Sequence, residues 1–118
     1  MTRKLLLADD DPHVRRLLRL HLRQTPFEVL DAATGEDAMA LLDTHRFDVV
    51  VLDLILPQHG GFRICQRIRR DADPQPFVII MTGDDTPETR DMAKEVGADA
   101  FLAKPFEPLA LIELVEKV

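Results

Sequence analysis

Short apolar runs and longer amphipathic stretches alternate along the whole chain, and this alternation narrows the fold more than any other feature. The runs are KLLLA (4–8), FEVLDA (27–32), DVVVL (48–52), FVIIM (77–81) and AFLA (100–103), mostly branched and bounded by Gly, Pro, Asp or Thr. They read as five strands. Between them, apolar residues recur at three- and four-residue spacing: Val14, Leu17, Leu18 and His21; Ala38, Leu41 and Leu42; Ile64, Cys65 and Ile68; Met92, Ala93 and Val96; Leu111, Ile112 and Val115. They read as five helices. Asp11-Pro12 and Thr86-Pro87 each offer a capping side chain followed by proline at the first helical position, and Gly97 stands where a helix should end. Strands that alternate with helices pair in parallel through right-handed crossovers, with helices on both faces. The expected fold is therefore a three-layer, doubly wound α/β domain with a five-stranded parallel sheet. The chain shows no repeat, low-complexity tract or linker, and Pro57 with Gly60-Gly61 marks a loop. Its 118 residues suit one domain spanning 1–118.

Composition excludes several classes of function. A net charge of −6 makes the domain a poor ligand for duplex DNA, which needs a concentrated basic surface. The single cysteine, Cys65, rules out an internal disulfide framework, and its place on an apolar helical phase suggests a buried, inert thiol. The first apolar run is too short for a signal peptide or a membrane span, so a cytoplasmic protein is expected. His13, His21, His45 and His59 show no metal-ligand spacing.

In a doubly wound sheet, ligands bind outside the carboxyl ends of the strands. Here those ends carry Asp9 and Asp10 after the first strand, Asp53 after the third, Thr82 after the fourth and Lys104-Pro105 after the fifth. Taken singly, each has an ordinary explanation: a strand-end aspartate caps a turn, and a lone lysine is solvated. Their convergence on one edge is harder to explain in that way. Asp9, Asp10 and Asp11 are consecutive, and like charges about 4 Å apart repel by roughly 4 kcal/mol in a partly screened site. A hard divalent cation such as Mg²⁺ would offset that repulsion for Asp9, Asp10 and Asp53, because it prefers carboxylate oxygens. Asp11 is expected to point away and cap the following helix.

Together the acidic pair, VVVLDLILP (49–57), MTG (81–83) and FLAKPF (101–106) resemble, in order and over the whole chain, the receiver domains of bacterial two-component response regulators. The resemblance implies a flavodoxin-like fold with strand order 2-1-3-4-5 and a phosphoryl group accepted on Asp53 from the phosphohistidine of a sensor kinase or phosphotransfer protein. It implies that Asp10 is a direct Mg²⁺ ligand, Asp9 a ligand through water, and Asp53 with the backbone carbonyl of Ile55 the other protein ligands. Lys104 would pair with the phosphoryl oxygens and Thr82 would bond one of them, with the amide of Gly83 in reach. Phe101 would turn inward as Thr82 moves, switching a surface made by the fourth helix, fifth strand and fifth helix. That surface would control an attached output domain, a partner or a phosphorylation-dependent homodimer.

Two departures from the family pattern stand out. Gly60-Gly61 replaces an acidic residue before the final loop glycine, which leaves the third helix without its usual cap, and Ala100 replaces an acidic residue common in receivers joined to winged-helix domains. Arg15, Arg19 and Arg23 form one stripe at helical spacing and Arg63, Arg67 and Arg70 another; the first, with Leu20, is a candidate docking face for the kinase. Other readings fare worse. A haloacid-dehalogenase-type hydrolase needs a second aspartate two residues after its nucleophile, where this chain has Ile55, and ADDDP lacks the small-residue loop of a nucleotide-binding module. A degenerate receiver that only binds protein would be expected to lose the acidic pair, the acceptor or the lysine.

Overall fold

The computed structural model describes residues 2–118. Five strands alternate with five helices: β1 (Arg3–Ala8), α1 (Pro12–Leu22), β2 (Phe27–Ala32), α2 (Gly35–Thr44), β3 (Val49–Asp53), α3 (Gly61–Asp71), β4 (Phe77–Thr82), α4 (Pro87–Glu95), β5 (Ala100–Ala103) and α5 (Pro108–Glu116). All strand pairs are parallel and the sheet order is β2-β1-β3-β4-β5, as the sequence pattern and the resemblance imply.

Period-two alternation along the strands divides the core into two layers. Leu6, Ala8, Val50, Leu52, Val78 and Ile80 pack with residues of α2, α3 and α4. Leu5, Leu7, Val49, Val51, Ile79 and Met81 pack on the other face with residues of α1 and α5. Because both faces are covered, β3 is buried from end to end, which is why it reads as VVVL and not as an alternating strand.

Boundaries differ from the sequence expectation for local reasons. The third strand begins at Val49 rather than Asp48, because the Asp48 carboxylate accepts a bond from the Lys4 amide (2.8 Å) and its residue stays exposed. The first begins one residue early, at Arg3, whose guanidinium lies 4.6 Å from the centre of the Phe27 ring. In α1 the buried residues are Leu18 and Leu22, whereas Leu17, placed by spacing on the apolar stripe, is exposed.

Helix starts follow their caps. The Asp11 side chain accepts from the His13 amide at 2.9 Å, and Thr34 and Thr86 cap α2 and α4 likewise. In α3, Gly60 occupies the cap position with no side-chain bond, as the missing acidic residue implies.

Candidate functional site

Strand register creates the site. Ala8 pairs with Leu52, Asp53 with Met81 and Thr82 with Ala103, so Asp9, Asp53, Thr82 and Lys104 end on one edge of the sheet. Backbone bonds continue past the strands and hold that edge: Asp9 N to Ala32 O (3.1 Å), Leu54 N to Met81 O (2.9 Å) and Lys104 N to Thr82 O (2.7 Å).

Asp9 is fully buried, Asp53 is 7% exposed and Asp10 faces solvent. One oxygen from each lies within 4.8 Å of the others. Such a group needs compensating charge, and Lys104 supplies part of it: Nζ donates to Oδ2 of Asp9 at 2.7 Å and to Oδ2 of Asp53 at 2.9 Å. Burial pushes the Asp53 carboxyl above its ordinary range, against the opposing pull of Lys104 and of the Ile55 amide, which donates to Oδ1 at 3.1 Å. Burial also opposes the charge on Lys104, but its bonds to Asp9 and Asp53 outweigh this and raise its pKa. Asp11 turns away to cap α1, and its amide donates to Oδ1 of Asp9 at 2.9 Å. A triad of oxygen donors, one exposed and two buried, fits a hard divalent cation that keeps part of its water shell.

The loop after Asp53 is shaped by close backbone approach. Gly35 donates its amide to Pro57 O at 2.8 Å, and a Cβ there would lie 1.7 Å from Gln58 O. At Gly61 a Cβ would lie 2.5 Å from Asp53 O, so glycine lets α3 start directly beneath the site. Gln58 and His59 adopt positive φ of 55° and 69°, which costs about 1 kcal/mol or more per non-glycine residue. Ile55, on this loop, is 68% exposed at the rim of the carboxylate group.

Thr82 is fully buried, and its Oγ1 accepts from the Asp84 amide at 3.1 Å. The Asp84 carboxylate in turn accepts from Thr89 Oγ1 at 2.9 Å, which ties the loop after β4 to the first turn of α4. A Cβ at Gly83 would meet nothing within 4 Å, so the loop is not packed tight there. Phe101 is half-buried, with the Arg90 guanidinium 4.6 Å from its ring centre.

Sequence reasoning located Asp9, Asp10, Asp53, Ile55, Thr82, Phe101 and Lys104, and the fold groups Asp9, Asp10 and Asp53 and bonds Lys104 to Asp9 and Asp53. It missed the Asp84–Thr89 bond, for which Thr86-Pro87 at a helix start was the only signal. It did not foresee the partners of Arg15 and Arg19, which it placed on a candidate docking stripe. Both turn onto Asp31 of β2, at 3.1 and 2.9 Å, and Arg15 Nη1 reaches Asp9 O at 2.8 Å. Arg67 is likewise engaged, with Met39 O and Asp43.

Known proteins resemble this chain in sequence and fold. The family model described as the response regulator receiver domain matches residues 5–116. The regulatory protein VanR of Enterococcus faecium is 35% identical over 116 residues, covering 98% of this chain and 49% of that protein. The probable transcriptional regulator ycf27 of Porphyridium aerugineum is 33% identical, covering 98% and 47%. The chain thus spans about half the length of the curated relatives it matches. Among solved structures, the BeF3-activated receiver domain of DrrB superposes with a TM-score of 0.91 at 34% identity, covering 99% of this chain and 97% of that one. The chemotaxis response regulator CheY4 of Vibrio cholerae superposes with a TM-score of 0.89 at 30% identity, covering 99% and 98%. With the family model spanning almost all of its length and the sheet edge built as described, this chain belongs to the response regulator receiver domain family.

Proposed function

We propose that this domain accepts a phosphoryl group on Asp53 from the phosphohistidine of a sensor kinase or phosphotransfer protein, in a reaction that depends on Mg²⁺. The observation that carries this reading is the Asp53 carboxylate, nearly buried, with the Lys104 ammonium 2.9 Å from one oxygen and two more carboxylates beside it. A carboxylate is a weak nucleophile, but phosphoryl transfer chiefly requires in-line positioning and neutralisation of charge on the equatorial oxygens. The Ile55 amide and Lys104 hold the Asp53 carboxyl in one orientation. As the bond from an Asp53 oxygen to phosphorus forms, the phosphorus–nitrogen bond breaks and the imidazole leaves with its electron pair. Asp9, Asp10, Asp53 and the Ile55 carbonyl would hold the metal ion, which when bound supplies positive charge to the phosphoryl oxygens. Lys104 exchanges its carboxylate partners for the new phosphoryl oxygens.

The product adds roughly one to two negative charges and a set of strong acceptors at the strand edge. The Thr82 hydroxyl and the Gly83 amide, at the end of β4 on that edge, would answer it. Movement of Thr82 would release the Asp84 amide and favour a different packing of Phe101, shifting the population of an already sampled arrangement of α4, β5 and α5. Met92 and Leu109, 47% and 61% exposed on α4 and α5, make that surface partly apolar, which suits contact with an output domain, a partner or a second copy. We read the domain as a cytoplasmic signalling phosphoacceptor that catalyses only its own phosphorylation and dephosphorylation; no helix among the described residues is long and apolar enough to cross a membrane.

Incubation with acetyl phosphate and Mg²⁺ should add one phosphoryl group by intact-mass measurement, and none to Asp53→Asn. Acid-stable phosphate on serine or threonine would overturn the assignment. No uptake by the wild type would leave a module that binds protein independently of phosphorylation.

A further inference from the structure

We propose that Arg15 is a positioning residue for the acidic pair: anchored on Asp31, it holds the Asp9–Asp10 peptide so that the Asp10 carboxylate is aimed at the cation site. This rests on the cation reading above. Asp10 is exposed and begins the turn into α1, and its side chain makes no hydrogen bond or ion pair among the described residues. Its direction is set by the backbone before it, and that backbone is tied at three points. Asp9 N donates to Ala32 O at 3.1 Å, and Asp9 Oδ1 accepts from Asp11 N at 2.9 Å. The third tie is the Asp9 carbonyl, which accepts from Arg15 Nη1 at 2.8 Å. That carbonyl belongs to the peptide plane shared with Asp10 and so sets where the Asp10 N and Cα lie; with the Asp11 amide held on Asp9 Oδ1 on the far side, the direction of the Asp10 Cα–Cβ bond is restricted.

Arg15 is itself held. Its Nε donates to Asp31 Oδ2 at 3.1 Å, and Asp31 Oδ1 accepts from Arg19 at 2.9 Å, on a side chain of which only 19% is exposed at Arg15. A planar guanidinium can serve a carboxylate and a carbonyl at fixed angles simultaneously, which an ammonium does less well. The arrangement is that of a partner behind a metal ligand, where loss commonly costs tenfold or more in metal affinity.

Charge alone predicts the opposite sign. Arg15 is a cation close to a cation site, so removing it without any loss of positioning should tighten Mg²⁺ binding and leave the Asp31 carboxylate as a further attraction. The direction of the change therefore separates the two effects.

Calorimetric titration of Mg²⁺ into the wild type, Arg15→Met, Arg15→Lys and Asp31→Asn tests this, together with amide chemical shifts of residues 9–11 in chelator. Arg15→Met should weaken Mg²⁺ binding about tenfold and displace the metal-free Asp10 amide signal, with Arg15→Lys recovering part of the loss. Asp31→Asn weakens binding through its lost charge in any case, so its readout is the metal-free Asp10 amide signal, which should be displaced as in Arg15→Met; it serves if Arg15→Met does not fold. Unchanged or tighter binding in folded Arg15→Met, or an Asp10 amide signal that stays in place in Asp31→Asn, beside a wild type that binds, overturns the positioning role alone. A wild type that takes up no Mg²⁺ overturns the cation reading and this role together.

Discussion

Lys104 bonds a carboxylate 95 positions earlier in the chain, its Nζ standing 2.7 Å from Oδ2 of the fully buried Asp9. The same ammonium bridges to Asp53, so one cation offsets two carboxylates before any metal arrives. Replacing Lys104 with Met should lower metal-free stability by about 2 kcal/mol, less than for a fully buried pair because the lysine is partly solvated. The variant should gain more stability from Mg²⁺ than the wild type does, since more repulsion remains for the cation to relieve. Urea unfolding in chelator and in excess Mg²⁺ measures both; equal Mg²⁺ gains would contradict it.

The pH dependence of stability should reveal the burial of Asp53. Its folded pKa is raised above the ordinary 3.8, chiefly by burial, so the native state binds the proton more tightly than the unfolded chain. Stability from this group is full below 3.8 and is lost as pH rises through the raised value. Without metal, Asp53→Asn should therefore melt above the wild type at neutral pH, with the gap closing toward pH 4. Lys104, raised above 10.5, contributes throughout that window and loses its contribution only at higher pH. An Asn variant that melts lower at neutral pH would refute the prediction.

Thr82→Ala should still be phosphorylated at Asp53, because the hydroxyl lies outside the carboxylate group and bonds the Asp84 amide instead. Its conformational response should shrink. Amide shift changes across α4 and α5 on phosphorylation would be compared between the two proteins, and equal responses would exclude Thr82 from the coupling.

Ile55 stands at the rim of the site with a side chain that cannot orient water. Ile55→Asn should shorten the lifetime of the phosphorylated protein severalfold, a barrier change of about 1 kcal/mol. Loss of the phosphoryl group after donor removal, at fixed Mg²⁺, reads this directly. A lifetime that is unchanged or longer would show that Ile55 does not shield the phosphorus.

Gly35 and Gly83 should respond very unequally to the same substitution. Gly35→Ala drives a Cβ to 1.7 Å from Gln58 O and should cost about 2–3 kcal/mol while displacing the loop after Asp53. Gly83→Ala meets open space and should stay within about 0.5 kcal/mol of the wild type. Denaturant midpoints for the two variants decide it.

Much of the molecule is legible in residues close together in the chain. The five apolar runs became β1 to β5 with ends shifted by at most a residue, because burial on both faces makes a parallel strand continuously apolar over a few positions. Asp11 and Thr86 announced their helices because a cap bonds only two or three residues ahead. Even the site edge was readable, since strands that all run parallel deliver the residues that follow them to one side of the sheet. Contacts across the sheet were not. Lys104 reaching Asp9, Arg15 turning from its helical stripe onto Asp31, and the Gly35 backbone meeting the loop at Gln58 each join segments separated in sequence. Leu17 was exposed and Leu22 buried for a related reason: the face a helix turns inward depends on how it crosses the sheet and its neighbouring helix. Sequence by itself therefore determined which elements form and which side chains arrive at the sheet edge, through local periodicity and capping. Only the tertiary structure decided which charges touch there, because register and helix docking are set by the packing of the whole core.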